Sequence, residues 1–199
     1  MAIRKIRNRL ERIGSKTGII SLFLLSHTVL MLMMLFTFPQ INAKFGTQAF
    51  DLKPLGYSQS EATQMLQNLD QPTIDLYLFP QLFLLDIFYP LLLALFLSTF
   101  IIRLSNLIKL NKDHVFSNLF MLPFIAMLFD YLENIMIALM ITNPTSVLSV
   151  VMQVANIFTL MKGVFTSLSW LVILCLLFVW LFNLLKSKKH SPQTFGDKR

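Results

Sequence analysis

Four long apolar stretches dominate the pattern of the chain, and more polar segments separate them. They cover about residues 18–38, 80–102, 118–141 and 156–185. About 20 mostly apolar helical residues cross a bilayer core of about 30 Å, so each stretch is long enough to span a membrane. The pattern therefore predicts an all-α integral membrane protein whose four-helix bundle occupies residues 18–185.

Charge is unevenly distributed among the segments outside these stretches. Basic residues are frequent in the N-terminal segment 1–17, in the connection 103–117 and in the tail 186–199. The connection 39–79 is acidic overall, and 142–155 carries no charge. Because positively charged segments stay on the cytoplasmic side of a membrane, both termini and the middle connection are predicted to be cytoplasmic. The polar tail is predicted to be disordered.

Composition supports a membrane location and excludes some other classes. Of the 199 residues 55% are hydrophobic, the mean hydropathy is +0.66 and the formal net charge is +7. We interpret this charge as a signal of topology that also attracts anionic lipid, so it is no evidence for a nucleic-acid partner. Cys175 is the single cysteine, which excludes an intramolecular disulfide. The low cysteine content favours a bacterial inner membrane.

The first outer connection, 39–79, is long enough to hold structure of its own. In "YSQSEATQMLQNLD", Ser58 and Glu61 match a capping box, and apolar residues then recur at helical spacing. The pattern predicts a short amphipathic helix on the outer surface. It either shields the helix ends or forms a lid over a ligand site.

Four charged residues fall inside the apolar stretches, where each costs about 2.5–3.5 kcal/mol at a helix centre. Such residues are expected to face the bundle and to find partners. If each stretch is centred in the bilayer, all four lie at its centre or in its outer half. The four are Asp86, Asp130, Glu133 and Lys162.

Helical geometry places polar groups of neighbouring stretches on matching faces. Asp130, Glu133 and Asn134 lie within about 100° of each other on the third stretch. The fourth stretch carries small and polar residues at a spacing of three and four, which suits close interhelical packing. On the second stretch Pro90 removes the hydrogen bond to the backbone carbonyl of Asp86. The polar residues of the fourth stretch are Asn156, Thr159, Lys162, Gly163, Thr166 and Ser169.

These residues predict a pocket that opens outward and binds a small amphipathic or lipid-like molecule. Asp130 and Glu133 would engage a cationic or hydroxyl group, while Lys162 would neutralise one acid. The alternative is a structural ion-pair cluster that fixes helix register. No cofactor and no metal are predicted, because His and Cys do not cluster. The predicted ligand-binding residues are Asp86, Asp130, Glu133, Asn134, Thr159 and Lys162.

Two other classes of function remain open. An intramembrane proton-transfer enzyme acting on a lipid or sterol-like substrate would use Glu133 or Asp130 as acid, and His27 or Asp86 as base. A structural or assembly subunit would instead cover the groove with a partner helix. Transport would require a homo-oligomer, since four helices leave little room for alternating access.

The chain resembles a widespread family of four-helix integral membrane proteins that has no established activity. The resemblance covers about residues 50–165 and rests on "GYSQSEATQMLQNL", "LYLFPQLFLLDIFYPLLLALFL", "LPFIAMLFDYLENIMIALM" and "ANIFTLMKGVF". Family members often have a glycine-arginine pair where this chain has "QPTIDLY". "LSH" in the first stretch and the buried acids are also similar to the four-helix proteins that include sterol isomerases and the sigma-2 receptor. That similarity implies binding of amphipathic amines or sterols.

Overall fold

The structure is a computed structural model that describes residues 2–110 and 115–189. All regular structure in these two ranges is helical. Short 3₁₀ turns lie at Phe50–Leu52 and Val115–Met121, and wider π-type turns at Met33–Thr37 and Tyr77–Leu85. The α-helices are α1 Ala2–Ile13, α2 Lys16–Leu32, α3 Phe38–Phe45, α4 Gln59–Gln67, α5 Gln71–Leu76, α6 Asp86–Leu107, α7 Leu122–Thr142 and α8 Ser149–Lys189.

Four helical segments are long and apolar enough to cross a membrane, and we call them the first to fourth long helices. Their sequences confirm the four predicted apolar helices. The predicted limits were too narrow for three of them, because a run of apolar residues marks the stretch that suits lipid, whereas backbone hydrogen bonding continues into more polar sequence. The long helices are Lys16–Phe45, Gln71–Leu107, Asn118–Thr142 and Ser149–Lys186.

The second long helix is central to the bundle. It packs against the first, third and fourth long helices, and the third and fourth also pack closely on each other. One apolar core, which includes Phe38 and Tyr77, lies towards the outer connection. A second core, which includes Leu97 and Ile101, lies towards the other end of the bundle. The four charged residues of the predicted apolar stretches lie between these two cores along the helices.

The first two long helices each contain a wide π-type turn, and these turns pack together. In the second long helix Phe79 leaves helical geometry, with φ −143° and ψ 125°. Across the contact, the hydroxyl of Thr37 donates to the side-chain oxygen of Gln81, and both residues are buried. This polar contact ties the two irregular segments together on the outer side of the charged residues.

The predicted outer connection is shorter than expected, because α3 and α5 extend the long helices and leave only 46–70 between them. The predicted amphipathic helix is confirmed as α4. Its N-cap is Ser58, whose hydroxyl accepts from the backbone N–H of Glu61 at 3.1 Å. Ala62, Met65 and Leu66 are its buried residues, so α4 packs on the bundle.

The charged ends of the chain are only partly described. The predicted tail 186–199 begins later than expected, because α8 continues to Lys189. The remaining residues 190–199 lie outside the described residues, and so do residues 111–114 of the predicted connection 103–117. The predicted N-terminal segment 1–17 contains α1, which packs on the second long helix.

Candidate functional site

Lys162 of the fourth long helix lies between two acids of the third. Its Nζ forms an ion pair with Glu133 Oε2 and lies 3.3 Å from Asp130 Oδ1. The hydroxyl of Thr159 donates to Glu133 Oε1 at 2.6 Å. Glu133 is fully buried, and a buried carboxylate is tolerated only when charge and hydrogen bonds compensate for lost water. The tight packing of these two helices therefore rests on a polar contact as well as on apolar side chains.

Asp86 of the second long helix joins this group through its backbone. Asn134 Nδ2 donates to the carbonyl oxygen of Asp86 at 3.3 Å. That carbonyl has no helical donor, because the residue four positions later is Pro90. The Asp86 side chain is 2% exposed, and its Oδ2 accepts from no donor among the described residues. Asp86 thus presents an uncompensated carboxyl oxygen inside the bundle.

Asp51 is a fourth acid of the site, and the predicted site residues did not include it. It lies in the outer connection, where its Oδ2 accepts from the hydroxyl of Tyr77 at 2.5 Å. Its Oδ1 is inaccessible and has no donor among the described residues. Burial raises the pKa of the Asp51 carboxyl, while the charge of Lys162 and the hydrogen bond from Tyr77 oppose that rise.

These side chains surround a cavity of about 260 Å³, which we call the acidic cavity. One side of its lining is polar and includes Asp51, Asp86, Asp130, Thr159 and Lys162. The other side is apolar, and it comes mainly from the first long helix. The apolar lining residues include Leu30, Met33, Phe38 and Leu93. A cavity with these two sides fits a molecule that has a polar and an apolar end.

Two of the predicted ligand-binding residues do not line the acidic cavity. Glu133 lies behind Lys162, where it holds the ammonium group in place. Asn134 instead lines a separate apolar groove of about 560 Å³ between the second and third long helices. Both residues therefore act on the cavity through their neighbours, Lys162 and Asp86.

The structure does not bring His27 to the acids. Its Nδ1 lies 2.9 Å from the backbone oxygen of Phe23, and the centroid of its ring lies 4.0 Å from that of the Phe23 ring at a tilt of 35°. A second contact is with Phe96, and His27 does not line the acidic cavity. Proton transfer between this histidine and the acids therefore has no direct route in the structure.

Lys162 also bears on metal binding. Among residues 2–110 and 115–189, no group of three His, Cys, Asp or Glu residues is placed to hold a metal ion. The ammonium of Lys162 already supplies a cation beside Asp130 and Glu133. The polar side of the cavity is therefore better suited to an organic ligand than to a metal.

No family model, curated protein or solved structure matches the chain. Function is therefore inferred from the chemistry and geometry of the acidic cavity.

The sequence contains one signal for the position of Asp51. This acid lies in "AFDL", among apolar residues, although it belongs to a connection between helices. Ala49 and Phe50 are both fully buried, so this part of the connection packs into the protein.

Proposed function

We propose that this protein is a multi-pass integral membrane protein, with both termini in the cytoplasm, that binds a small amphipathic or lipid-like molecule in the acidic cavity. Four apolar helices and the distribution of basic residues support this topology. A bacterial inner membrane is the proposed location. The resemblance to the family of four-helix membrane proteins supports the proposed topology alone.

The observation that carries the proposal is that two acids of the cavity lining, Asp51 and Asp86, each have a buried carboxyl oxygen without a partner in the part of the chain that the structure describes. Asp51 Oδ1 and Asp86 Oδ2 have no donor among the described residues. Leaving such an oxygen without a donor costs about 1–3 kcal/mol, and more if the group is charged. A ligand that brings a hydroxyl or cationic group between these acids would recover that free energy.

The roles within the site differ from those that the sequence suggested. Asp130 and Glu133 were expected to engage the ligand, but the Lys162 ammonium contacts both of them. In this proposal Asp51 and Asp86 contact the polar end of the ligand. The ammonium group of Lys162 neutralises part of the negative charge, since four carboxyls would otherwise repel each other in a medium of low dielectric constant.

The apolar end of the ligand would lie against the first long helix. Leu30, Met33 and Phe38 line that side of the cavity. A volume of about 260 Å³ is slightly below the range of roughly 300–1,000 Å³ typical of drug-sized ligands. The cavity therefore suits a polar group with a short apolar part, and a longer chain would extend out of it.

The test is native mass spectrometry of the purified protein, with extraction and identification of the molecules that it retains. Wild type is compared with an Asp51→Asn, Asp86→Asn double variant. We expect wild type to retain a specific small molecule and the double variant to lose it. Each Asn lacks the negative charge and one of the two acceptor oxygens of the Asp that it replaces. Asp75→Asn is the matched control, since Asp75 is an exposed acid outside the cavity.

A second variant separates binding from folding. Leu93→Trp fills the apolar side of the cavity without changing any acid, and Leu93 is only partly buried. We expect it to reduce retention while the protein keeps its thermal stability. If wild type and both cavity variants retain the same molecules in the same amounts, the acidic cavity is not a binding site and the proposal fails.

A further inference from the structure

The N-terminal helix α1 docks on the second long helix by one face. The buried Arg7 donates from Nε to Glu11 Oε1 and from Nη2 to Asn106 Oδ1, both at 3.2 Å. Beside it Leu10 is 4% exposed and belongs to the inner apolar core. This pairing also turns Glu11, the single acid of α1, towards the bundle. The position of α1 is thus set by specific side-chain contacts.

Two other faces of α1 remain exposed, and they differ in chemistry. With about 100° per residue and Arg7 as the origin, Ile3, Ile6 and Ile13 lie between about −40° and −120°, on both sides of the buried Leu10 at about −60°. All three are exposed, by 45%, 37% and 46%. The opposite arc, from about +60° to +200°, holds only polar and basic side chains. These are the exposed residues Arg4, Lys5, Asn8, Arg9 and Arg12.

The exposed faces are arranged as on a helix that lies in a membrane interface. The isoleucine arc is centred about 80° from Arg7 on one side, and the basic arc is centred about 130° from it on the other. If the docked face points sideways to the bundle, the isoleucines point into the bilayer and the basic side chains point to the headgroups. An apolar face combined with a basic face is typical of interfacial helices that bind anionic lipid.

Chain connectivity holds α1 at the level of the membrane surface. Only Gly14 and Ser15 separate it from the first long helix. Arg103 Nη1 donates to the carbonyl oxygen of Gly14 at 3.0 Å, which fixes this turn to the second long helix. A side chain at position 14 would lie 3.3 Å from the backbone oxygen of Leu10, so the turn is also tightly packed.

We propose that α1 is an interfacial helix whose basic face binds the headgroups of anionic phospholipids. This inference rests on the proposed membrane insertion, but it is independent of the acidic cavity. Charge complementarity favours an anionic partner, because the four cations on the exposed arc have no acid beside them on that arc. Each basic residue near an anionic surface changes lipid affinity by about fivefold.

The depth of α1 is tested with spin labels on the full chain in nanodiscs of phosphatidylcholine and phosphatidylglycerol. Labels are placed at Ile6→Cys, Asn8→Cys and Leu24→Cys in a Cys175→Ser background, and accessibility to oxygen and to a water-soluble relaxant is measured. We expect the labels at positions 6 and 24 to be in lipid and the label at position 8 to be in water. Leu24 is 57% exposed on the first long helix and reports membrane insertion itself.

The outcomes separate the two proposals. If the label at position 24 lies in water, the proposed membrane insertion fails. If it lies in lipid while the label at position 6 is as accessible to water as the label at position 8, only the interfacial position of α1 is overturned.

The lipid preference is tested by counting retained phosphatidylglycerol molecules in native mass spectra. Replacing Arg4, Lys5, Arg9 and Arg12 with Gln is expected to remove the enrichment of phosphatidylglycerol over phosphatidylcholine. The matched control, with Arg4, Arg9 and Arg12 replaced by Lys, keeps the charge and should keep the enrichment. Equal enrichment in wild type and the Gln variant would overturn the proposed binding of anionic headgroups.

Discussion

Two clusters of charged side chains lie towards opposite ends of the bundle, and their charges balance differently. In the cluster at α1, Arg7 pairs with Glu11 and also donates to Asn106. In the acidic cluster, Lys162 faces Asp130 and Glu133, with two further acids nearby. Two carboxyl oxygens of the second cluster have no donor among the described residues.

The difference indicates which cluster has its charges matched and which carries an excess of acids that is available for chemistry. The attraction between opposite charges that pair inside the protein offsets part of the free energy lost on their burial, so such pairs favour a fixed docking geometry. Carboxyls in excess of the cations lack this compensation and require a proton or a ligand. The acidic cluster is therefore the better candidate for function, although its core pair is also structural.

The largest expected effect is that of Lys162→Met. The change leaves Asp130 and Glu133 buried without their cation, and breaking a buried pair costs about 3–5 kcal/mol. Adding Glu133→Gln should restore part of this loss, because one uncompensated charge disappears. Unfolding in mixed detergent micelles measures both changes.

Arg7→Met gives the comparison at the other cluster. We expect a smaller loss of about 1–2 kcal/mol, since Glu11 is partly exposed and water can replace the lost hydrogen bond. Equal losses for Arg7→Met and Lys162→Met would contradict the distinction between the two clusters.

Gly56→Ala tests how firmly the outer connection holds Asp51 in the acidic cluster. A Cβ at position 56 would lie 2.3 Å from Asn156 Oδ1, and the φ of +78° is unfavourable for any side chain. Gly46→Ala is the matched control, because its φ is +70° but nothing lies within 4 Å of the added atom. We expect about 2–3 kcal/mol for Gly56→Ala against about 1–2 kcal/mol for Gly46→Ala in the same unfolding measurement.

Only the Gly56 variant should also reduce ligand retention in native mass spectra. Asn156 Oδ1 accepts from the backbone N–H of Tyr57 at 2.8 Å, so displacing it loosens the connection from the fourth long helix. If both glycine variants lose stability equally, the close approach at Asn156 does not fix the connection.

Asn134→Leu is expected to have a smaller effect, about 1 kcal/mol of lost stability. The variant loses the hydrogen bond to the Asp86 carbonyl, but it also removes Asn134 Oδ1, a buried acceptor without a donor among the described residues. The two effects oppose each other. Ile135→Ala, at a 53% exposed neighbour, is the control for the loss of apolar contacts. A gain in stability for Asn134→Leu would show that the hydrogen bond contributes less than the orphan acceptor costs.

The smallest effect concerns an exposed ion pair on the outer surface, which contrasts with both buried clusters. The hydrogen bond from Lys44, with help from Thr73, lowers the pKa of Asp70 from 3.8 to about 2. A lowered pKa means that Asp70 stabilises the fold above about pH 4, and that this contribution is lost as the pH falls towards 2.

Thermal unfolding of wild type and Asp70→Asn between these pH values measures the contribution of Asp70. We expect the variant to lose less stability on acidification than wild type does. Identical pH profiles would indicate that solvent screening removes the effect of the pair.

The sequence predicted the long helices well, because lipid and helix packing both impose strong patterns. Asp130, Glu133 and Asn134 are buried together as helical geometry requires. The helix ends were less predictable. The segment Phe38–Phe45 contains Asn42 and Lys44, yet it continues the first long helix because its apolar residues pack into the outer core.

The contribution of the outer connection to the site was not predicted from the sequence. Asp51 reaches the acids through a 3₁₀ turn and the buried aromatic ring of Phe50, and neither follows from helical periodicity. His27 shows the opposite limit. It was a candidate base on the first long helix, but its ring packs against Phe23 and Phe96 instead. Rotation about a helix axis is set by tertiary packing, which a single apolar run does not reveal.

The hydrogen bond from Asn134 to the carbonyl that Pro90 frees has a consequence for how this chain can diverge. The proline frees a carbonyl on the second long helix, and the amide of Asn134 on the third long helix fills the place of the missing donor. A non-proline residue at position 90 would restore the donor within the helix and leave the amide without its acceptor. The two positions are therefore expected to covary among descendants of this sequence, although 43 residues lie between them.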